Sequence, residues 1–442
     1  MIRGALARMS SGLDEQMREV LGKAILSLAI RVGGAAAQFA FSVLIARLFG
    51  PAGLGAYALA LSVVVIASTL ARWGLDQATL KHVAIHATRG ERSAMRSLVD
   101  QGLLVTGVAA LVVSLALWLA APWLCRELFD EPDLSGLLRI MVLSITPFTL
   151  LNVLAEAIRG LRKIAVHTLV QGFLVPLFSI LLLLIWHFMA NTGLSGAAAS
   201  YAGACLLTAG AAYLLWRETL GRDAVGSVRV DPLPLRALFA TASPLGWVAL
   251  IGVAMSFTET LLLGVYRSSG DVGLYAAALR LALLVNFVMI AFNSILGPKF
   301  ASLYHESKLQ AISALARKSI LTMLVVVAPL LFVFVAAPRQ VLSLFGSEFG
   351  DAAGALVVLS VGQLLGILVG PAGIFLMMTG HERVMRANLV FSYLANLFAG
   401  IALIPTLGVM GAALSATIGI VVLNLTCWVS ARRALSGPVE TG

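Results

Sequence analysis

The chain has 442 residues, of which 60% are hydrophobic and only 12% charged, with a net charge of +10 and a mean hydropathy of +0.97. A soluble domain carries about 25% charged residues, so this composition excludes a water-facing globule and reads as an integral membrane protein. The basic excess is not a nucleic-acid footprint, because Lys and Arg sit in short clusters between apolar runs, where membrane topology places them.

At the N-terminus, Ile2, Leu6, Met9, Leu13, Met17 and Val20 recur at spacings of three and four. That pattern predicts a helix lying on the membrane surface over residues 1–23, with a short solvated tail as the alternative. Asp14, Glu15 and Glu19 interrupt the segment, unlike a signal peptide. Apolar runs long enough to cross about 30 Å of hydrocarbon follow near 24–46, 54–75, 101–121, 137–156, 165–187 and 193–216. After a stretch at 217–242 with two prolines and mixed charges come six more, near 243–265, 273–296, 319–337, 353–378, 386–405 and 409–431. A tail, 432–442, ends the chain.

With the N-terminus in the cytoplasm, 24 of the 31 basic residues fall on that side, while the connection holding Glu127, Asp130, Glu131 and Asp133 lies outside. Both termini are then cytoplasmic, as the positive-inside rule requires. Cys125, Cys205 and Cys427 are far apart, and neither they nor the six histidines show metal-ligand spacing. No disulfide framework, metal or other cofactor is expected.

The two sets of six spans look related. GLGAYALAL at 53–61 matches DVGLYAAAL at 271–279, pairing Gly55 with Gly273 and Tyr57 with Tyr275, and GLSGAAAS at 193–200 resembles GVMGAALS at 408–415. An even number of spans per half makes the repeat parallel, with its pseudo-two-fold axis along the membrane normal. The expected fold is therefore an all-α membrane protein of about twelve transmembrane helices. They form two parallel-repeat six-helix lobes, 24–216 and 243–431, around a central cavity and joined by the linker 217–242.

Four charges fall within spans, where they are costly and point to function. Arg31 lies eight residues past Lys23, about 12 Å into the first span. Its guanidinium suits a pyrophosphate, and snorkelling to the interface is the alternative. Glu259 and Arg280 lie at similar depth on consecutive antiparallel spans. They read either as an ion pair joining the two helices or as a two-state element in which Arg280 alternates between Glu259 and an incoming phosphate. Arg139, near a span end, reads as an interfacial anchor. Asn152, Gln171, Asn286, Asn293 and Asn396 place neutral hydrogen-bonding groups at membrane depth, suited to sugars or to helix contacts. The seven tryptophans fall mostly near span ends, as an interfacial belt does.

The string ARLFGPAGLGAYALALS at 46–62, with TETLLLGVYRSSGDVGLYAAALRL at 258–281 and TGHERVMRAN at 379–388, resembles the polysaccharide flippases of the multidrug/oligosaccharidyl-lipid/polysaccharide exporter superfamily. Glu259 stands where that family more often shows Asp. The resemblance implies a transporter, not an enzyme, that moves an isoprenoid-pyrophosphate-linked oligosaccharide from the inner to the outer leaflet of a bacterial inner membrane by alternating access. It also implies membrane lipids and polymerase or other polysaccharide assembly proteins as partners. Arg31, Arg280, Glu259, Asn286 and Gln171 are the candidate substrate-binding residues. A drug or cation exporter of the same superfamily is the nearest alternative. A membrane enzyme of glycan assembly is the other, although no Asp-x-Asp motif or soluble catalytic domain is present.

Overall fold

The computed structural model describes residues 15–190, 193–221 and 234–436. Residues 1–14 of the predicted surface helix, 222–233 of the linker and 437–442 of the tail lie outside them. Among the described residues there is no strand. The helices are α1 (Glu15–Arg72), α2 (Leu75–Arg89), α3 (Arg92–Trp123), α4 (Leu134–Val142), α5 (Ile145–Gly160), α6 (Ile164–Thr168), α7 (Val175–Ala190) and α8 (Leu194–Leu220). They continue with α9 (Leu235–Tyr266), α10 (Ser269–His305), α11 (Leu309–Ala336), α12 (Pro338–Leu342), α13 (Ala353–Val369), α14 (Ala372–Met378), α15 (Glu382–Leu407) and α16 (Val409–Ser436).

Among the described residues, eleven stretches are long and apolar enough to span a membrane. The first, Leu26–Arg72, is two limbs broken at Gly50, whose φ of 67° and ψ of −170° leave the helical region. Pro51 follows, offering no N–H for a helical bond and disfavouring helical geometry at the residue before it. The two limbs are the first two predicted spans, so the count of about twelve stands. A second break interrupts the predicted span 353–378: Gly370 has φ of 85°, and α13 stops at Val369 before α14 resumes at Ala372.

The chain forms two compact units, one of residues 1–44 and 60–254, the other of 45–59 and 255–442. The division thus falls within α9 and not in the predicted linker, and the segment Ile45–Leu59 belongs with the second half. The reason is a backbone contact. A Cβ at Gly55 would strike the Ser269 carbonyl, and one at Gly273 would strike the Pro51 carbonyl, so the repeat-matched glycines are where α1 and α10 press together without side chains. Arg47, in the same segment, donates to the carbonyls of Leu344 and Ser343 at 2.8 and 2.9 Å.

Helices in both units are built inside out relative to a soluble protein. On α3, Gly102, Thr106, Ala110 and Ser114 are buried, and the Ser114 hydroxyl donates to the Val142 carbonyl at 2.9 Å. Leu104, Val108, Leu111 and Leu115 on its opposite face are exposed. Small and hydroxyl-bearing residues let membrane helices approach closely, while large apolar ones meet lipid tails. In the first unit a core of Leu75, Met95, Leu98, Ile158, Trp216 and Leu238 ties α2, α3, α5, α8 and α9 together. Trp216, only 2% exposed, thereby departs from the expected interfacial belt, whereas Trp123 and Trp247 stay exposed. Arg139 stacks on Trp118, 4.7 Å from the ring centre.

Candidate functional site

Among the described residues, each unit carries a buried polar cluster built on its span-length helices. In the first unit, α5 presents Asn152, Glu156 and Arg159 at spacings of four and three. The antiparallel segment that follows presents His167 and Gln171, four apart. The two rows meet in register. Gln171 Nε2 donates to Asn152 Oδ1 at 3.2 Å, and His167 Nε2 lies 3.3 Å from Glu156 Oε1. Glu156, whose side chain is 5% exposed, also pairs with Arg159 at 3.2 Å and feels the charge of Arg72. Arg72 in turn bonds Thr69 and pairs with Asp76 at 3.6 Å. Two acids are balanced here by two arginines, with the His167 ring beside Glu156, which is what burying charge in a low-dielectric region demands.

Residues 169–174, which carry Gln171, form a π-helical turn. Such a bulge widens the helix and is common at functional sites. The first limb of α1 lies against it: Ser27 bonds Thr168 at 3.2 Å, and a Cβ at Gly34 would strike the Gly172 carbonyl. Arg31 falls between these two contacts on the same helical face, spaced four and three residues from them. Its side chain is exposed, as is that of Gln171. The structure thus brings two of the candidate residues, Arg31 and Gln171, to neighbouring positions on one pair of helices.

In the second unit, Glu259 of α9 is 6% exposed. Its Oε1 accepts from Asn396 Nδ2 of α15 at 2.6 Å, and the same amide donates to the Ser415 carbonyl of α16 at 3.2 Å. A Cβ at Gly419 would come within 2.9 Å of the Asn396 side chain, so the amide is clamped between two helices. The Tyr275 phenol also senses Glu259. A carboxylate in such a place needs a proton or a cationic partner, and a neutral amide supplies neither.

Equal depth suggested that Arg280 would be that partner. Among the described residues no ion pair joins them; the face of α9 bearing Glu259 and Leu262 turns to α15, where Leu262 packs on Gly400. Arg280, half-buried, interacts instead with the Tyr57 phenol contributed by α1. It therefore sits at membrane depth with no carboxylate beside it among the described residues. Asn286 is half-buried further along α10 and joins neither cluster.

Glu156 and Arg72 were not among the residues that sequence singled out, since both stand at span ends and count there as boundary charges. The signal was present nonetheless. Asn152 and Glu156 on one side of the turn at 161–163, and His167 and Gln171 on the other, are two polar pairs four apart, so an antiparallel hairpin must bring them together.

Comparison with known proteins agrees with this architecture. Over 415 residues the chain is 24% identical to Stage V sporulation protein B of Bacillus subtilis, covering 88% of this chain and 78% of that protein. It is 29% identical over 203 residues to the probable flippase AglR of Haloferax volcanii, covering 44% of this chain and 41% of that one. Among solved structures, an inward-facing multidrug resistance MATE family transporter superposes with a TM-score of 0.75 at 16% identity, covering 93% of this chain and 98% of that one. The lipid II flippase MurJ, in an inward closed conformation, gives 0.73 at 13% identity, covering 92% and 87%. The fold is thus that of these transporters, and the match of residues 20–304 to the family model for polysaccharide biosynthesis proteins shows that the chain belongs to that family.

Proposed function

We propose that the protein is a flippase that carries an isoprenoid-pyrophosphate-linked oligosaccharide from the inner to the outer leaflet of a bacterial inner membrane during surface polysaccharide synthesis, by alternating access. The observation that carries the reading is Arg280: a half-buried guanidinium at membrane depth with no carboxylate partner among the described residues is a receptor for an anion. Arg31, exposed beside the π-turn of the first unit, is that unit's own candidate cation for an anionic headgroup. Gln171 and Asn286 supply neutral groups suited to sugar hydroxyls. The names of the relatives, two of them flippases, support a lipid-linked substrate. The concentration of Lys and Arg on one side supports cytoplasmic termini.

The test is leaflet sidedness of the lipid-linked sugar in cells with and without the gene. The flippase predicts accumulation on the cytoplasmic leaflet when the protein is removed, restored by the wild-type chain and not by Arg280→Gln. Unchanged sidedness, together with loss of protection against cationic dyes, would instead assign a drug exporter.

A further inference from the structure

Helix α15 has two faces of opposite character. Met385, Asn388, Ser392 and Asn396 lie on one, and the last three hydrogen-bond to α16 or α9: Asn388 to Ser430 at 3.2 Å, Ser392 to the Gly419 carbonyl at 2.7 Å, Asn396 to Glu259. Half a turn round, Arg383, Arg386, Ala387, Val390, Phe391 and Leu394 border a shallow, wide-open trough along this one helix, with no second element lining it among the described residues. Phe391 is 59% exposed, and the apolar stripe continues through Phe398 at 67% and Ile401 at 44%. Both arginines are exposed, and neither enters an ion pair among the described residues. From Arg383 to Leu394 the helix rises about 16 Å at 1.5 Å per residue.

We infer that this trough is a loading site for a long-chain isoprenyl diphosphate, with the diphosphate on Arg383 and Arg386 and the isoprenyl chain along Val390, Phe391 and Leu394. The assignment rests on the flippase reading and adds a place and a polarity to it. Two cations three residues apart stand on the same side of a helix, which suits a group with more than one negative charge. The apolar run begins directly beside them and lacks any polar side chain on that face through Leu394. A ligand that satisfies both ends is an anion joined to a hydrocarbon, with the anion at the end of α15 that the charge distribution assigns to the cytoplasm. That is the side on which the proposed substrate is collected.

The experiment uses the whole chain in phosphatidylcholine nanodiscs, with bound lipid read by native mass spectrometry. The probes are undecaprenyl diphosphate, undecaprenol, inorganic pyrophosphate and phosphatidylglycerol. Undecaprenyl diphosphate is expected to bind, undecaprenol not, and R383Q/R386Q to weaken binding by about tenfold or more, the loss expected for charge-assisted contacts. The charge-keeping R383K/R386K should recover much of it, and Phe391→Ser with Leu394→Ser, which removes the apolar stripe, should weaken the lipid diphosphate without affecting pyrophosphate. Unchanged binding in R383Q/R386Q would overturn the trough while leaving the flippase reading intact. Displacement by an equal concentration of phosphatidylglycerol would also overturn it, marking the face as a seat for ordinary anionic lipid. A wild-type chain that binds no isoprenyl diphosphate would overturn both.

Discussion

The partner of Glu259 decides how the second unit is held together, and a pair of double-mutant cycles measures it. Asn396→Ala removes the amide that reaches Glu259 at 2.6 Å and Ser415 at 3.2 Å. A hydrogen bond contributes about 0.5–1.5 kcal/mol net, and leaving its partner buried and unsatisfied costs about 1–3 kcal/mol. Glu259→Leu removes the acceptor of that bond for the first cycle, and Glu259→Gln keeps the acceptor while removing any charge that could reach Arg280 for the second. The Glu259–Asn396 cycle should therefore give a coupling energy of about 2 kcal/mol, whereas Glu259→Gln with Arg280→Gln should be additive within about 0.5 kcal/mol, the limit for residues without shared partners. The assay is reversible SDS unfolding of the purified full chain in mixed micelles, followed by far-UV circular dichroism; a 2 kcal/mol coupling corresponds to about a thirtyfold change in the unfolding constant. A Glu259–Arg280 coupling larger than the Glu259–Asn396 coupling would refute the reasoning and restore the ion pair that equal depth suggests.

Arg31→Gln and Arg280→Gln should each lower the rate of lipid-linked sugar translocation in proteoliposomes by about tenfold or more, the loss of a charge-assisted phosphate contact, with the unfolding midpoint nearly unchanged; a loss of stability matching the loss of rate would make them structural. Gly55→Ala and Gly273→Ala place a methyl against backbone carbonyls and should each destabilise by about 1–3 kcal/mol, while Gly252→Ala, with open space around its Cβ, should stabilise its helix by about 0.5–1 kcal/mol; thermal melts of the three variants test the contrast. His82 on α2 has its pKa held below 6.5 by burial, and further by Lys81 and His86, and its Nε2 is buried without a hydrogen-bond partner among the described residues. Because the unfolded chain takes up the proton first, His82 contributes stability above pH 6.5 that is lost as pH falls through the depressed folded value; His82→Gln should flatten the melting temperature between pH 7.5 and 5.5, and an unaltered pH profile would exclude His82 as the cause.

How much of this was legible in the sequence depends on what a linear pattern encodes. Span length and the one-sided clustering of Lys and Arg respond to the bilayer itself, so the number of helices could be read without knowing how they pack; even the merged first stretch announced its break through Gly50 and Pro51. Depth is likewise linear, and Glu259, Arg280 and Asn396 do lie on span-length apolar helices. A partner is not linear. Glu259 and Arg280 occupy similar heights, but height leaves the rotation of each helix about its axis undetermined, and that rotation is set by contacts such as Leu262 on Gly400.

The same distinction explains the unit boundary. A repeat offset locates equivalent residues but does not tell whether they lie apart in their own halves or against one another. Gly55 and Gly273 are equivalent in sequence and touch in space, so the chain crosses over at the one motif the two halves share most clearly. The motif was legible as a repeat because both copies need glycine, and both need glycine because each is the other's neighbour. The basic residues outside the predicted cytoplasmic set follow a related rule. Arg47 bonds the carbonyls ending α12, and Arg267 bonds those of Pro405 and Thr406 near the end of α15 at 2.7 and 3.2 Å, where unpaired carbonyls and the negative end of the helix dipole favour a cation. These arginines violate the topological rule because they answer a local one. Arg280 is bound by neither rule among the described residues, and for that reason it, more than any other charge in the chain, calls for a ligand.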